Sequence, residues 1–191
     1  EPSWLHEDRK VLARLHRRTV GLLPSCGGAA VSRILFGVTR AYRAGLPANE
    51  LFDAAQGPAT DSISQYEPEE LANTVWAFAS AGRTAPALFE GAAQAATQRI
   101  GEFEPPWLAR VGWAFAEVRH PARALFAAIA DAALRRLRDF GGVDLSALAW
   151  AFAEANAQHV ELATAIDEVL RAGIRGCDEA QVRAFGDWCD D

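Results

Sequence analysis

The chain lacks several residues on which common functions depend. It has 191 residues, with no methionine, a single lysine (Lys10) among 19 basic residues, and three cysteines. Cys26, Cys177 and Cys189 are odd in number and match no zinc or disulfide spacing. The sequence therefore predicts no metal centre, no disulfide framework and no cofactor. The four histidines, which share no metal-like spacing, are His6, His16, His120 and His159.

Catalytic motifs and membrane-spanning runs are also missing. Gly27 and Gly28 are adjacent, but no lysine or strand accompanies them, so they do not form a phosphate-binding loop. No Ser-His-Asp or Cys-His set can be nominated. No apolar run approaches the roughly 18 residues that a membrane-spanning helix needs. We therefore expect a protein that is not an enzyme and has no transmembrane segment.

The charge is acidic and unevenly distributed. The net charge is −6. By segment it is +2 for residues 1–29, −3 for 67–103, +2 for 104–140, −3 for 141–177 and −4 for 178–191. Phosphate binding along a groove needs several lysines or arginines placed along that groove. No basic stripe runs along the chain, so the charge disfavours RNA as a partner.

What the chain does contain is one sequence unit repeated every 37 residues. Self-similarity at this period is typical of repeat proteins. It predicts an all-α fold, an α-solenoid of stacked antiparallel helical pairs. The recurring large residues fit core packing between units better than base stacking, because alanines flank them at helical spacing. They are Leu71, Trp76 and Phe78, then Leu108, Trp113 and Phe115, then Leu145, Trp150 and Phe152.

The repeat divides the chain into an array and two caps. Within a unit, Pro68 and the adjacent acidic residues predict the start of a first helix, Gly82 its end, and Pro86 the start of a second helix. A finite array also needs polar caps. We predict an N-terminal capping helix and linker at 1–29, a four-unit array at 30–177 (30–66 degenerate, then 67–103, 104–140 and 141–177), and a C-terminal capping helix and acidic tail at 178–191.

Residues that vary between units on the polar face are the candidates for recognition. Asn73, Arg110 and Ala147 share one repeat position. A second repeat position holds Glu70, Trp107 and Asp144. Two arginine clusters could contact phosphates or an acidic partner, although such clusters are more often solvated helix faces. They are Arg14, Arg17 and Arg18 near one end, and Arg135, Arg136 and Arg138 near the middle.

The repeated sequence resembles the octotricopeptide repeat family. The match lies in Leu-Ala-Asn-Thr-Val-Trp-Ala-Phe-Ala at 71–79 and Pro-Pro-Trp-Leu at 105–108, and it covers about 30–177. The resemblance implies helical-pair repeats, import into a chloroplast or mitochondrion, and the binding of organellar RNA during its maturation, stabilisation or translation. With no initiator methionine at Glu1, we expect that a targeting peptide has been removed, from a plastid protein rather than a mitochondrial one.

Two functions remain open from the sequence. The first is a non-catalytic docking or scaffold subunit of a large organellar assembly, such as a photosynthetic, respiratory or ribosomal complex. The second is an organellar RNA-binding factor. Because the best three units carry −3, +2 and −3, we favour protein subunits as partners over RNA, and we do not expect a homo-oligomer.

Overall fold

The computed structural model describes residue 14 and residues 17–42 and 49–171. This part of the chain is helical and contains no strand, so the all-α prediction is confirmed there. Short 3-10 helices lie at Leu23–Ser25, Ile63–Gln65, Ile100–Glu102 and Leu137–Asp139. The α-helices are α1 (Gly28–Tyr42), α2 (Asn49–Ser62), α3 (Pro68–Ser80), α4 (Pro86–Gln98), α5 (Pro105–Glu117), α6 (Arg123–Arg135), α7 (Gly142–Glu154) and α8 (Val160–Arg171).

The helix boundaries keep the interval seen in the sequence. The first helices α3, α5 and α7 begin at Pro68, Pro105 and Gly142, which are 37 residues apart. The second helices α4, α6 and α8 begin at 86, 123 and 160. Proline is tolerated at the first helical position, because the N–H that it lacks would have no partner within the helix. The predicted starts at Pro68 and Pro86 are therefore confirmed.

The helices pack in two rows. The first helices α1, α3, α5 and α7 lie side by side, each in contact with the next, and the second helices α2, α4, α6 and α8 form a looser row behind them. Each first helix also contacts the second helix of its own unit. With neighbours on three sides, α3 is buried at every residue from 71 to 79. Alanines at several of these positions let the helices approach closely.

Edge-to-face phenylalanine pairs join each unit to the next. In each pair a second helix supplies one ring and the following first helix supplies the other. This geometry brings the positive edge of one ring to the negative face of its neighbour. The pairs are Phe52–Phe78, Phe89–Phe115 and Phe126–Phe152, with ring centroids 5.3, 5.0 and 5.2 Å apart.

The tryptophans are not equally buried. Trp76 and Trp113 are 5% and 4% exposed, whereas Trp150 is only partly buried, and so is Phe152 on the same helix. We expected all three tryptophans to be mostly buried. The difference has a simple cause, since within the described residues no first helix follows α7. The leucines Leu71, Leu108 and Leu145 face inward and are buried in all three units.

Each first helix of the three best units ends in the same backbone conformation. Gly82, Arg119 and Asn156 have positive φ angles of 65°, 53° and 49°. The next amide N–H in each unit returns to a carbonyl five residues earlier, as Arg83 does to Phe78 at 2.9 Å. This is the Schellman motif, in which a left-handed residue closes the helix. The prediction that Gly82 ends α3 is confirmed.

The predicted caps are only partly within the described residues. Residues 17–22 are helical and run into the 3-10 helix Leu23–Ser25, and α1 already begins at Gly28. The last two residues of the segment that we predicted as cap and linker, 28 and 29, therefore lie in α1. The C-terminal cap predicted at 178–191 lies outside the described residues.

Candidate protein-docking surface

Arg110 lies at the centre of a polar contact between first helices. Its Nη1 donates a hydrogen bond to Asn73 Oδ1, which links α5 to α3. Its guanidinium also lies over the rings of Phe36 and Trp76, 5.4 and 5.9 Å from their centroids. Such cation–π contacts are stronger when the cation is partly desolvated. Arg110 therefore contacts residues from two preceding units.

The electrostatics of this contact are balanced within the chain. Burial lowers the pKa of Arg110, and the carboxylates of Glu69 and Asp144 act in the opposite direction. Burial likewise raises the pKa of Asp144, against the Gly141 N–H and the charge of Arg110. The carboxylates thus compensate part of the cost of burying the arginine.

This burial changes the interpretation of the first candidate recognition position. Asn73 is only 8% exposed and Ala147 is buried, so neither is available on the open surface that we predicted. Arg110, at the same repeat position, is partly buried. The close packing of the first-helix row explains the difference. Side chains that vary between units here contact other units of the chain.

At the second candidate position, the acidic residues Glu70 and Asp144 cap the N-termini of their helices. Glu70 accepts a hydrogen bond from the Glu67 N–H at 3.2 Å, and Asp144 accepts one from the Gly141 N–H at 3.3 Å. Each carboxylate therefore satisfies a backbone donor at a helix N-terminus, where negative charge is also favourable. Trp107, at the same position in α5, is partly buried and packs against the core. It is not the open recognition residue that we expected.

Arginines also join the second helices to the preceding unit. Arg136 Nη2 donates to the carbonyl of Phe103 at 2.6 Å, and Arg99 Nη1 donates to the carbonyl of Tyr66 at 2.9 Å. Both bonds occupy the same repeat positions. Arg136 therefore acts as an inter-unit contact rather than as part of a recognition surface. Its neighbours Arg135 and Arg138 are exposed, as predicted.

A third inter-unit contact recurs with different residues. Arg83 Nη1 lies 2.5 Å from Asp53 Oδ1, and its Nη2 donates to the Asn49 carbonyl at 3.1 Å. One unit later, His120 Nε2 lies 3.5 Å from Glu90 Oε2. A basic residue after each of these first helices thus faces an acidic residue on the preceding second helix.

The N-terminal arginines lie apart from those of α6. Arg14, Arg17 and Arg18 are exposed on the segment that precedes the 3-10 helix Leu23–Ser25. Helices α1 to α5 separate them along the chain from Arg135 and Arg138. The two arginine clusters that we predicted therefore lie on separate elements.

The last described unit carries an apolar groove that the sequence analysis missed. It has a volume of about 420 Å³ and lies between α7 and α8. His159, whose Nδ1 accepts a hydrogen bond from the Leu162 N–H at 3.3 Å, lines it together with Asp167. The end of the repeat pattern could have signalled this groove, since the last unit of an array has one unpaired face. Its apolar lining includes Ala149, Phe152, Ala153, Leu162, Ala163 and Ile166.

The same surface is covered at the preceding unit. Gly112, the repeat equivalent of Ala149, lies against Leu148 and Ala151 of α7, so that an added Cβ would be 3.5 and 3.8 Å from their side chains. Phe115 and Ala116 are almost completely buried, whereas their equivalents Phe152 and Ala153 are partly buried and exposed, respectively. The groove is thus the surface onto which a following first helix packs inside the array.

Other kinds of site are not evident in the described part of the chain. Within residues 17–42 and 49–171, no group of three His, Cys, Asp or Glu side chains could hold a metal ion. Among the helices described, none is long and apolar enough to cross a membrane. Cys26 is a half-buried free thiol, and Cys177 and Cys189 lie outside the described residues.

Comparison with known proteins adds no family assignment. No protein-family model matches the chain, and no curated protein matches its sequence.

Proposed function

We propose that the chain is a short α-solenoid with a 37-residue repeat that serves as a non-catalytic docking subunit of a larger organellar assembly. The observation that carries this proposal is the apolar groove at the end of the helix rows. It exposes Ala149 and Ala153 at positions that are buried in the preceding unit. The equivalent surface one unit earlier is covered by α7, so this surface is suited to packing against another protein segment. The assembly is a photosynthetic, respiratory or ribosomal complex.

The use of arginine supports protein rather than RNA as the partner. Arg83, Arg99, Arg110 and Arg136 each bind a group of another unit of the chain. An arginine held in this way offers fewer donors to a phosphate. Affinity for RNA grows with the number of phosphates that basic residues neutralise. These four arginines therefore hold units of the chain together.

The resemblance to the octotricopeptide repeat family supports an organellar location, with the plastid favoured over the mitochondrion. It also keeps the family's RNA-binding role as a second candidate. Arg135 and Arg138 favour this alternative, because both are exposed, Arg135 at the end of α6 and Arg138 in the 3-10 helix that follows it. Two such residues would support only weak RNA binding, with a Kd on the order of 10⁻⁴–10⁻⁶ M as for non-specific contacts at physiological salt.

Fractionation of a native extract distinguishes the two functions. We expect the chain to sediment with other proteins in a large complex, and to remain there after RNase treatment and in high salt. The reason is that apolar docking is not weakened by salt as phosphate contacts are. Release of the chain by RNase or by salt would contradict the docking role.

Binding of the purified chain to single-stranded RNA gives the complementary measurement. We expect weak binding, reduced further by Arg135→Ala with Arg138→Ala. Arg123→Ala, which removes another exposed arginine of α6, is the matched control. Nanomolar binding to a defined RNA, lost in the double variant and kept in the control, would establish the RNA-binding role instead.

A further inference from the structure

His120 lies at the junction between α4 and α5, which belong to adjacent units. Its backbone N–H donates to the carbonyl of Phe115 at 3.0 Å, so the end of α5 fixes the position of the residue. The imidazole centroid is 5.8 Å from the ring centroid of Phe89 on α4 and 5.6 Å from that of Phe115. Its buried Nε2 has no hydrogen-bond partner among the described residues, and the carboxylate of Glu90 lies 3.5 Å away.

The same two repeat positions carry a different pair at each junction. One unit earlier they hold Arg83 and Asp53, which form an ion pair with 2.5 Å between Nη1 and Oδ1. Arginine keeps its charge at any pH at which the chain is folded. One unit later both positions hold alanine, at Ala157 and Ala127. In chain order the three junctions therefore carry a permanent cation, a titratable histidine and no charge.

We propose that protonation of His120 makes the junction between α4 and α5 sensitive to pH. Histidine is the side chain whose charge ordinarily changes between about pH 5 and pH 8. The charged ring gains an ion pair with Glu90 and a cation–π contact with Phe89. Burial opposes the charge, but Arg83 shows that the fold accommodates a cation at this repeat position. This sensitivity does not depend on what the array binds.

The other charged groups near the histidine leave Glu90 as its partner. Glu90 is the only charged residue of α4. Arg119 precedes the histidine and pairs with Glu154 of α7 at 3.1 Å, while Glu117 on the last turn of α5 and Arg123 at the start of α6 are exposed. The ion pair therefore stabilises the junction at the acid end of the histidine range and is lost as the pH rises through that range. Because each unit packs only on its neighbours, the effect is confined to this junction.

Urea denaturation of the full-length chain at two pH values tests the proposal. Glu90→Gln removes the carboxylate of an exposed side chain, so the variant should fold. At about pH 5.5 we expect it to lower the equilibrium constant for folding about threefold, the size of effect that an exposed ion pair has. At about pH 8 we expect no effect, because the histidine is then neutral. Both pH values lie above the range in which carboxylates ordinarily titrate, so the difference between them reports the charge of the histidine.

The repeat supplies two matched controls. Asp53→Asn removes the carboxylate of the permanent pair and should have the same effect at both pH values. In a chain with His120→Arg, which copies that pair, Glu90→Gln should likewise have equal effects at both. Circular dichroism establishes that each variant is folded. An effect of Glu90→Gln in the native chain that is equal at the two pH values, or absent at both, would overturn the proposal. The same pH dependence in Asp53→Asn, or its persistence with His120→Arg, would also overturn it, because the dependence would then arise from net charge and not from His120.

Discussion

The guanidinium of Arg136 donates a hydrogen bond to the backbone carbonyl of Phe103, across a distance of 2.6 Å. Phe103 lies in the connection between α4 and α5. The bond therefore joins the C-terminal end of α6 to the segment that precedes α5, the first helix of the same unit. The preceding unit repeats it with Arg99 and Tyr66. Both aromatic residues are buried, and their carbonyls need a donor that the helices do not supply.

Replacing Arg136 by alanine should destabilise the chain. The carbonyl of Phe103 would lose a charged donor, and hydrogen bonds to charged groups contribute about 1.5–3 kcal/mol when partly buried. Because Arg136 is half-buried, we expect a loss of about 1–2 kcal/mol in the free energy of unfolding, measured by urea denaturation. The control is Arg138→Ala, which removes an exposed arginine and should change stability by less than about 0.5 kcal/mol. Equal effects of the two variants would contradict the assigned role.

Arg119→Gly should be more stable than Arg119→Ala by about 1 kcal/mol, because only glycine adopts a positive φ without cost. Arg119 has a φ of 53° and ends α5 as Gly82 ends α3. Both variants lose the exposed ion pair with Glu154, so their difference isolates the backbone. In the reverse test, Gly82→Ala should cost about the same amount. Thermal denaturation of the three variants provides the measurement, and equal melting temperatures for the two Arg119 variants would exclude backbone strain there.

The helix boundaries could be predicted because they depend on local signals. Pro68 and Pro86 mark helix starts, and Gly82 marks a helix end, from their own backbone preferences. The same end at Arg119 carries no such signal, since arginine has no preference for positive φ. It could be placed only by its repeat position, 37 residues after Gly82.

The candidate site was harder to predict because it depends on contacts between units. Arg110 and Asn73 share a repeat position, and that register could have shown that side-by-side helices bring them together. The bond from Arg136 to Phe103 spans 33 residues, which is neither a helical spacing nor the repeat interval, so the sequence does not pair these two residues even though Arg99 and Tyr66 hold the same repeat positions. The groove at Ala153 exists because, within the described residues, no first helix follows α7, and the pattern of a single unit carries no information about that.

Gly28→Ala should destabilise the junction between α1 and the connection before α3. A Cβ at this position would lie within 3.0 Å of the ring of Tyr66, which is 2% exposed and cannot easily move. Overpacking of this kind costs about 1–3 kcal/mol. Gly37→Ala is the matched control in the same helix, because nothing lies within 4 Å of its Cβ position. It should stabilise the chain by up to about 1 kcal/mol through helix propensity, and urea denaturation should give opposite signs for the two variants.

Asp144→Asn should change how stability depends on pH. Burial raises the pKa of Asp144 above its unfolded value of about 3.9, so the folded state binds the proton more tightly. The stability that this provides is present below the unfolded pKa and is lost as pH rises through the folded pKa. The variant should therefore gain stability relative to the native chain as the pH rises above the unfolded pKa of about 3.9. Asp131→Asn, at an exposed aspartate of α6, controls for the change in net charge. A loss of relative stability over this range in Asp144→Asn would contradict the predicted sign.

Trp113→Ala should cost more stability than Trp150→Ala, although the two residues hold the same repeat position. Trp113 is 4% exposed and stacks on Trp150 at 6.1 Å between ring centroids, while Trp150 is only partly buried at the end of the row. Removing a large aromatic from a packed core costs roughly 3–5 kcal/mol, and the cost falls where the site is open to solvent. We therefore expect a loss in that range for Trp113→Ala and a smaller one for Trp150→Ala in urea denaturation. A larger loss at Trp150 than at Trp113 would mean that α7 is covered in the isolated chain and that its groove is not open to a partner.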